Sequence, residues 1–284
     1  MKEYDVIAVG LGPAATSAAI YAAMGGYRTL LIGEKSGSLY RAEKIANYYA
    51  GGEIGGKELF ERGLRQATDV GAEIAYGQVV EITFGEKGFH LKTPEEEYEA
   101  KVVLLATGVA RNRPRLAGVD EFDGKGVSWC AVCDGFFYRK KKVGVYGAGE
   151  YAVSEAKYLS GIGCDVTLFT DGRPAPEYAG TVNTEKLSAL YGVERLEGIV
   201  LANGEKIALS ALFVAEGVAS SGDFSRMLGI ETENNAIKVN ARCETNVPGL
   251  FAAGDCTGGL LQVAKAVGQG AVAGFEICRY LKKR

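Results

Sequence analysis

Residues 5–34 read DVIAVGLGPAATSAAIYAAMGGYRTLLIGE, and this stretch decides the fold. The apolar run that ends at Val9 predicts a buried β-strand, and the small residues Thr16–Met24 predict a helix. A second apolar run, Arg28–Gly33, predicts another strand and is followed by the acidic Glu34. A strand, a glycine-rich turn, a helix and a second strand in this order are typical of a βαβ unit that binds a nucleotide.

The turn between the first strand and the helix has the pattern Gly-x-Gly-x-x-Ala, from Gly10 to Ala15. Gly10 permits the tight turn, and Gly12 lets the backbone approach a pyrophosphate. Unpaired N–H groups at the start of the helix face the phosphates. Glu34, at the end of the second strand, can accept a hydrogen bond from a ribose hydroxyl.

The same pattern occurs a second time in the chain. Lys142–Tyr146 predicts a strand, and Gly147–Ala152 repeats the glycine-rich turn. A helix through Leu159 and a strand at Asp165–Phe169 complete the unit. We therefore predict an α/β fold with two Rossmann-like, three-layer nucleotide-binding domains.

Two linkers set the predicted domain boundaries, one at residues 108–118 and one at residues 240–249. The short apolar block after the second linker predicts a strand that ends at Gly254, which permits a close approach, and Asp255, which can accept a hydrogen bond from a polyol. This tail is predicted to rejoin the N-terminal half, so the second domain is inserted into the first. The predicted domains are residues 1–112 plus 243–284, and residues 113–242.

Composition and charge exclude several classes of function. The formal net charge of the 284 residues is −3, which argues against nucleic-acid binding because that affinity comes largely from Lys and Arg. The chain has one histidine, His90, so a zinc hydrolase of the His-Glu-x-x-His type, which needs two, is excluded. His90 lies in a predicted strand and is interpreted as structural. Gly10 and Pro13 interrupt the uncharged stretch at residues 6–27, and the acidic start does not fit a signal peptide. We predict a cytoplasmic protein without a membrane span.

Cys130 and Cys133 form a Cys-x-x-Cys pair that is followed directly by Asp134. Such a pair interconverts between dithiol and disulfide with little chain movement, and each sulfur can stabilise the thiolate of the other. Asp134 can donate or accept the proton that thiol–disulfide exchange moves. Half of a zinc site, which would need further ligands, and a pair of inert buried thiols are the alternatives.

These motifs together resemble the low-molecular-weight, bacterial-type thioredoxin reductases. The run Trp129–Leu159 is similar to the family's Cys-Ala-x-Cys-Asp-Gly-Phe-Phe-Tyr motif with the strand and second glycine turn that follow it. The opening Gly-x-Gly-Pro-Ala turn, Asn47, residues 103–108 and residues 245–255 match as well. The resemblance covers most of the chain and is weakest at residues 171–235.

The resemblance implies that the discontinuous first domain binds FAD. It puts the pyrophosphate at the opening glycine turn, the ribitol at Asp255, and the isoalloxazine edge near Asn47 and the helix start at Gln262, whose dipole favours negative charge. With Glu34 from the βαβ pattern, the expected cofactor residues are Gly10, Gly12, Pro13, Ala14, Glu34, Asn47, Gly254, Asp255, Gln262 and Val263.

The resemblance also implies roles for the redox residues. Cys133 is expected to face the flavin, Cys130 to attack the disulfide of a thioredoxin-like partner, and Asp134 to assist proton transfer. A homodimer is expected on the same ground.

One segment departs from the family's pattern. Members that use NADPH carry His-Arg-Arg-x-x-x-Arg where residues 170–176 of this chain read TDGRPAP. The guanidinium fork of arginine suits a phosphate, whereas Asp171 repels a phosphate and favours an unphosphorylated ribose. This departure and the short second domain resemble a subgroup that takes electrons from reduced ferredoxin, and a related group that uses the deazaflavin F420. We predict a donor other than NADPH, with NADH and NADPH as alternatives.

Two other functions fit the same residues. A flavin thiol oxidase would close a disulfide in a small dithiol and pass the electrons to oxygen. A flavin-bearing redox sensor would change its cysteine state without turnover.

Overall fold

The computed structural model describes residues 1–35, 37–108, 114, 116–129, 131–174, 177–216 and 221–283. Residues 132, 133 and 221 are described by their backbone alone. The chain divides into two compact units, the first formed by Met1–Ala110 with Ser220–Arg284 and the second by Arg111–Ala219. The second unit is therefore inserted into the first.

Both units contain helices and strands, and in each a glycine turn joins a strand to the helix that follows it. The strands in the described residues are β1 (Lys2–Val9), β2 (Thr29–Gly33), β3 (Glu73–Tyr76), β4 (Glu81–Phe84), β5 (Phe89–Lys92), β6 (Glu97–Leu105), β7 (Val127–Ser128), β8 (Lys142–Tyr146), β9 (Asp165–Phe169), β10 (Thr181–Asn183), β11 (Leu187–Gly192), β12 (Leu196–Leu201), β13 (Lys206–Ala208), β14 (Ala211–Val214), β15 (Thr232–Glu233), β16 (Ala236–Ile237) and β17 (Leu250–Ala252). The helices are α1 (Pro13–Met24), α2 (Gly37–Arg41), α3 (Gly56–Asp69), α4 (Ala131–Asp134), α5 (Glu150–Gly161), α6 (Ser221–Leu228) and α7 (Val263–Leu281), with 3₁₀ turns at Gly135–Tyr138 and Asp255–Thr257.

The first unit is built on a sheet whose parallel part runs in the order β3, β2, β1, β6, β17. β5 joins the N-terminal part of β6 in antiparallel fashion, and β4 pairs with β5. Val9 pairs with Ile32 and with Leu105, and Leu105 pairs with Ala252. Because β1, β2, β6 and β17 end in register, the loops that follow them lie at one edge of the sheet, where open α/β sheets bind ligands.

Two helices of the first unit, α1 and α7, pack at backbone distance. A Cβ at Gly270 would lie 2.3 Å from the carbonyl oxygen of Ala14, and a Cβ at Gly274 would lie 2.5 Å from that of Ala18. The spacing shows that the helices run parallel, so both N-termini point toward the edge where β1 ends. Small residues on both helices therefore position the start of α7 beside the start of α1.

The second unit has its own parallel sheet, in the order β10, β9, β8, β14, β7. An antiparallel sheet of β11, β12 and β13 accompanies it. α5 follows β8 through the second glycine turn, as α1 follows β1. The predicted α/β fold with two Rossmann-like domains is confirmed.

The chain crosses back to the first unit earlier than the sequence suggested. α6 packs against β4, and the β15–β16 hairpin packs against the 3₁₀ turn at Asp255–Thr257. Residues 221–242, predicted to lie in the inserted domain, therefore belong to the first unit. The domain boundary was predicted near Pro248 because proline interrupts secondary structure there. The chain instead returns to the first unit before α6, which buries Phe224 and Leu228. The predicted boundary at residues 112 and 113 lies outside the described residues.

Two features that bore on other functions lie in ordinary secondary structure. His90 lies in β5, and its Nε2 is 3.4 Å from a carboxylate oxygen of Glu97. The uncharged stretch at residues 6–27 is divided between β1, α1 and the loops beside them. Among the described residues, no helix combines the length and hydropathy that a membrane crossing requires.

Candidate active site

The loop between β1 and α1 has the geometry of a phosphate cradle. Gly10 has φ of +123°, and a Cβ there would lie 2.3 Å from the carbonyl oxygen of Ala106. Gly12 is the N-cap of α1 in an extended conformation, Pro13 follows it, and in the described structure no side chain caps the helix. A Cβ at Gly12 would meet no described atom within 4 Å. The first N–H groups of α1 are thus left for an anionic ligand.

The loop after β17 brings a carboxylate to the same edge. Gly254 has φ of +84°, and a Cβ there would lie 2.8 Å from the Cβ of Ala14, so the loop packs on the first turn of α1. Oδ1 of Asp255 is buried, and no described residue hydrogen-bonds to it. Burial raises the pKa of Asp255, and the positive charge of Lys265 opposes this rise. A buried acceptor without a protein donor fits a ligand that brings hydroxyl groups.

Asn47 and the start of α7 also meet. Nδ2 of Asn47 donates a hydrogen bond of 2.8 Å to Oε1 of Gln262. Gln262 is the N-cap of α7, and Val263 is the first residue of the helix. Asn47 and Gln262 are 215 positions apart in the sequence, and their hydrogen bond brings the Asn47 loop to the start of α7.

Glu34 lies at the end of β2 and is held by a residue that sequence reasoning missed. Nε2 of Gln78, in the loop after β3, donates a hydrogen bond of 2.8 Å to Oε1 of Glu34. Thr107, after β6, was also missed; its Oγ1 is buried and has no hydrogen-bond partner among the described residues. Gln78 follows β3, which pairs with β2, and Thr107 follows β6, which pairs with β1. Their position after these strands was the available signal in the sequence.

The Cys-x-x-Cys segment belongs to the second unit and is described in part. Cys130 lies outside the described residues, and for Cys133 the structure gives the backbone, which is in α4. Asp134 ends α4, and its Oδ2 accepts a hydrogen bond of 2.7 Å from Oγ of Ser128. The carboxylate beside the pair is thus held by a hydroxyl on β7, so its position is defined by the fold.

The first turn of α4 is bonded to the neighbouring helix. The N–H of Ala131 donates a hydrogen bond of 2.8 Å to Oε2 of Glu155, a buried residue of α5. Because Ala131 directly follows Cys130, this bond ties the redox segment to α5.

The remaining cysteines do not compete for redox chemistry. Cys164, Cys243, Cys256 and Cys278 are free thiols. Burial raises the pKa of Cys243 to about 11 and that of Cys256 to about 12, so both stay protonated at neutral pH. Because the thiolate is the reactive form, burial makes these two thiols poor nucleophiles.

The polar residues that follow β9 in the second unit are bonded to other residues of that unit. Asp171, interpreted from the sequence as an acceptor for ribose, accepts 2.9 Å hydrogen bonds from the hydroxyl of Tyr146 and from the N–H of Leu187, one on each carboxylate oxygen. Arg173 makes a two-armed ion pair with Glu216. The polar groups of Asp171 and Arg173 therefore have hydrogen-bond partners within the second unit.

A flavin-type glycine turn in one Rossmann-like unit and a Cys-x-x-Cys pair in an inserted second unit define the class of flavin-dependent disulfide oxidoreductases. The profile of the pyridine nucleotide-disulphide oxidoreductase family matches residues 4–179 and 180–270, and the chain belongs to this family. Thioredoxin reductase from Bacillus subtilis (strain 168) is 32% identical, over 99% of this chain and 96% of its own length.

Two solved structures extend the comparison. The atypical thioredoxin reductase TRi from Desulfovibrio vulgaris Hildenborough matches with a TM-score of 0.94 and 36% identity, over 100% of this chain and 99% of that one. A ferredoxin-flavin thioredoxin reductase from Clostridium acetobutylicum matches with a TM-score of 0.79 and 32% identity, over 100% of both chains. The predicted FAD-dependent oxidoreductase with thioredoxin reductase function is confirmed at this level, and FAD is its cofactor.

The first unit fits FAD on observations of its own. The loop at Gly10 and Gly12 leaves room for a phosphate at the start of α1. At the same edge of the sheet, the buried Oδ1 of Asp255 and the buried Oγ1 of Thr107 have no hydrogen-bond partner among the described residues. A dinucleotide with a polyol chain carries groups that match both features.

Proposed function

We propose that this thioredoxin reductase takes its electrons from a donor other than NADPH or NADH, and that reduced ferredoxin is that donor. The observation that carries the proposal is the bonding of Asp171 and Arg173 within the second unit. These residues stand where a pyridine dinucleotide would be recognised in a Rossmann-like domain.

Recognition of NADPH needs a free cation for the 2′-phosphate, and recognition of NADH needs a free carboxylate for the ribose. Both oxygens of Asp171 already accept hydrogen bonds from Tyr146 and Leu187. The guanidinium of Arg173 is engaged by Glu216. A 2′-phosphate would have to displace Glu216 from Arg173 and leave that carboxylate unpaired, which costs binding energy. A ribose would have to share the oxygens of Asp171 with the two donors already bound, which weakens its recognition.

The similarity to the ferredoxin-flavin thioredoxin reductase of C. acetobutylicum supports the same donor. When bound, FAD supplies a carrier that accepts electrons one at a time and delivers them in pairs, the chemistry that links a one-electron donor to a disulfide. The residues that would hold FAD are those predicted from the sequence. Gly10, Gly12, Pro13 and Ala14 would bind the pyrophosphate, Asp255 the ribitol and Glu34 a ribose hydroxyl.

We assign the flavin edge to Asn47, Gln262 and Val263. The Asn47–Gln262 hydrogen bond supports this assignment because it ties the loop to the N-cap of α7. The N-terminal dipole of a 19-residue helix favours negative charge at that position.

In the proposed dithiol chemistry, the thiolate of Cys130 attacks the partner's disulfide, forms a mixed disulfide and releases one partner thiolate. Cys133 then attacks Cys130, which releases the second partner thiolate and closes the Cys130–Cys133 disulfide. The partner gains two electrons and two protons, and the enzyme's pair loses them. Asp134, held by Ser128, would assist the proton transfers.

An aromatic and basic segment directly after Asp134 suits the docking of the thioredoxin-like partner. Phe136 and Phe137 are 66% and 70% exposed. Arg139 lies over the ring of Phe136, and three lysines follow it in the sequence. Exposed aromatic rings provide contact area, and the positive charges would speed encounter with an acidic partner. A cytoplasmic location and a homodimer remain part of the proposal.

The proposal is tested by anaerobic titration of the yellow protein with NADPH, NADH, reduced F420 and reduced ferredoxin, followed by flavin absorbance. We expect reduced ferredoxin to bleach the flavin and micromolar NADPH and NADH to leave it oxidised. Prompt bleaching by NADPH or NADH would refute the proposed donor, and bleaching by F420 alone would replace ferredoxin with the deazaflavin.

The thiol oxidase and the sensor predict different outcomes in the same cuvette. An oxidase would form peroxide rapidly when a dithiol and oxygen are added. A sensor would accept electrons without passing them to thioredoxin.

A further inference from the structure

The Gly254–Gly258 loop, which carries Asp255, is held by two side chains of α7. Nζ of Lys265 donates to the carbonyl oxygens of Gly254 and Gly258, both at 2.7 Å, and to Oγ1 of Thr257 at 3.1 Å. An ammonium group has three N–H donors, so all of them are used within this loop.

Gln269 binds the N–H group of Gly254, in the peptide unit before the carbonyl that Lys265 binds. Its Oε1 accepts hydrogen bonds from the N–H of Gly254 at 2.9 Å and from Oγ1 of Thr257 at 3.0 Å. Lys265 and Gln269 are four residues apart and therefore share one face of α7. Together they bind both the N–H and the carbonyl of Gly254, whose left-handed backbone sets the direction in which Asp255 leaves the strand.

A part-buried ammonium group is a costly way to hold a loop, because its charge loses hydration. The charge is explained by the neighbouring carboxylate. Lys265 is bonded to the loop on both sides of Asp255, and its positive charge opposes the rise that burial causes in the pKa of Asp255. The thiol of Cys256 is a second titratable group that both charges affect. A nearby cation favours the ionised carboxylate, whose two oxygens can then accept hydrogen bonds.

We propose that Lys265 and Gln269 are positioning residues for FAD binding, and that Lys265 also keeps Asp255 ionised for the cofactor's hydroxyl groups. This inference rests on the proposed role of Asp255. It adds two residues of α7 that act through the loop and are not assigned to touch the cofactor.

The test measures the FAD dissociation constant of the apoprotein between pH 5 and pH 9 by flavin fluorescence, for the wild type, K265M, K265R, Q269L and D255N. K283M is the control, because Lys283 is an exposed residue just beyond the end of the same helix. We expect K265M to weaken binding at least ~10-fold at pH 7, Q269L to weaken it less, and K265R and K283M to stay near the wild type. Loss of Lys265 raises the pKa of Asp255 further, so the pH at which affinity falls should move upward in K265M and stay unchanged in Q269L.

The double variant D255N/K265M separates charge from folding. If Lys265 acts through the ionised carboxylate, K265M should cost much less in the D255N background than alone. Wild-type affinity and pH profile in K265M, or additive losses in the double variant, would overturn this inference. If D255N itself binds FAD normally, the proposed role of Asp255 fails instead. Should K265M not fold, K265R against K265Q repeats the comparison with charge as the difference.

Discussion

Serine in place of Cys133 should leave FAD bound and lower the rate of thioredoxin reduction on the order of 10⁴-fold or more, the scale on which loss of a catalytic nucleophile acts. The same loss is expected for Cys130→Ser, because a single thiol cannot be oxidised to the internal disulfide. Cys164→Ser is the matched control, since Cys164 is a free thiol of the same unit with a pKa raised by burial, and it should retain full activity. The measurement is the steady-state rate with FAD content determined in each preparation.

The two serine variants also differ in a way that tests the proposed order of attack. A thioredoxin with a single active-site cysteine, activated as its mixed disulfide with thionitrobenzoate, reports attack by release of the coloured thiol. The Cys133→Ser variant retains the attacking Cys130, so it should release the coloured thiol and form a covalent complex with thioredoxin. The Cys130→Ser variant should react far more slowly. The reverse pattern would exchange the two roles, and loss of FAD from either variant would make the cysteine structural.

Substitution of the two turn glycines should separate folding from cofactor binding. Gly10→Ala is expected to destabilise the apoprotein by roughly 2–5 kcal/mol, because a Cβ at a φ of +123° would also collide with the carbonyl oxygen of Ala106 at 2.3 Å. Gly12→Ala should change apoprotein stability by less than ~0.5 kcal/mol, since its backbone is extended and its Cβ would meet no described atom within 4 Å. That methyl group would occupy the space that the pyrophosphate needs, so FAD affinity should fall roughly 10- to 100-fold.

Gly26→Ala is the control for the cost of a positive φ without a steric clash. Gly26 has φ of +85° with no described atom within 4 Å of a Cβ, so the substitution should cost roughly 1–2 kcal/mol and leave FAD affinity unchanged. Urea unfolding of the apoproteins and FAD titration provide the two measurements. Wild-type FAD affinity in Gly12→Ala would show that the cofactor's phosphates lie elsewhere.

The fold could be predicted from sequence because its signals are local. Each glycine turn stands between a predicted strand and a predicted helix, and β8 and β9 have the predicted bounds. The second domain crossing could not be predicted, because α6 belongs to the first unit through its packing on β4 and carries no local sign of that contact. The strand register that aligns Val9, Leu105 and Ala252 is likewise a tertiary property.

The candidate site divides in the same way between local and tertiary signals. Gly10, Gly12 and Asp255 have residue types that the local backbone or a ligand requires. Lys265 and Gln269 were missed because their role depends on which loop packs beside α7. Asp171 was interpreted from its position alone, and the contacts with Tyr146 and Leu187 that occupy it come from other strands.

The central claim is that electrons pass between the bound flavin and the Cys130–Cys133 pair and reach thioredoxin. The most direct measurement reduces the FAD-loaded protein photochemically without oxygen and mixes it with oxidised thioredoxin. The return of the oxidised flavin absorbance, with two new thioredoxin thiols for each FAD, is the predicted result. A flavin that stays reduced, while the protein disulfide of thioredoxin remains intact, would contradict the account.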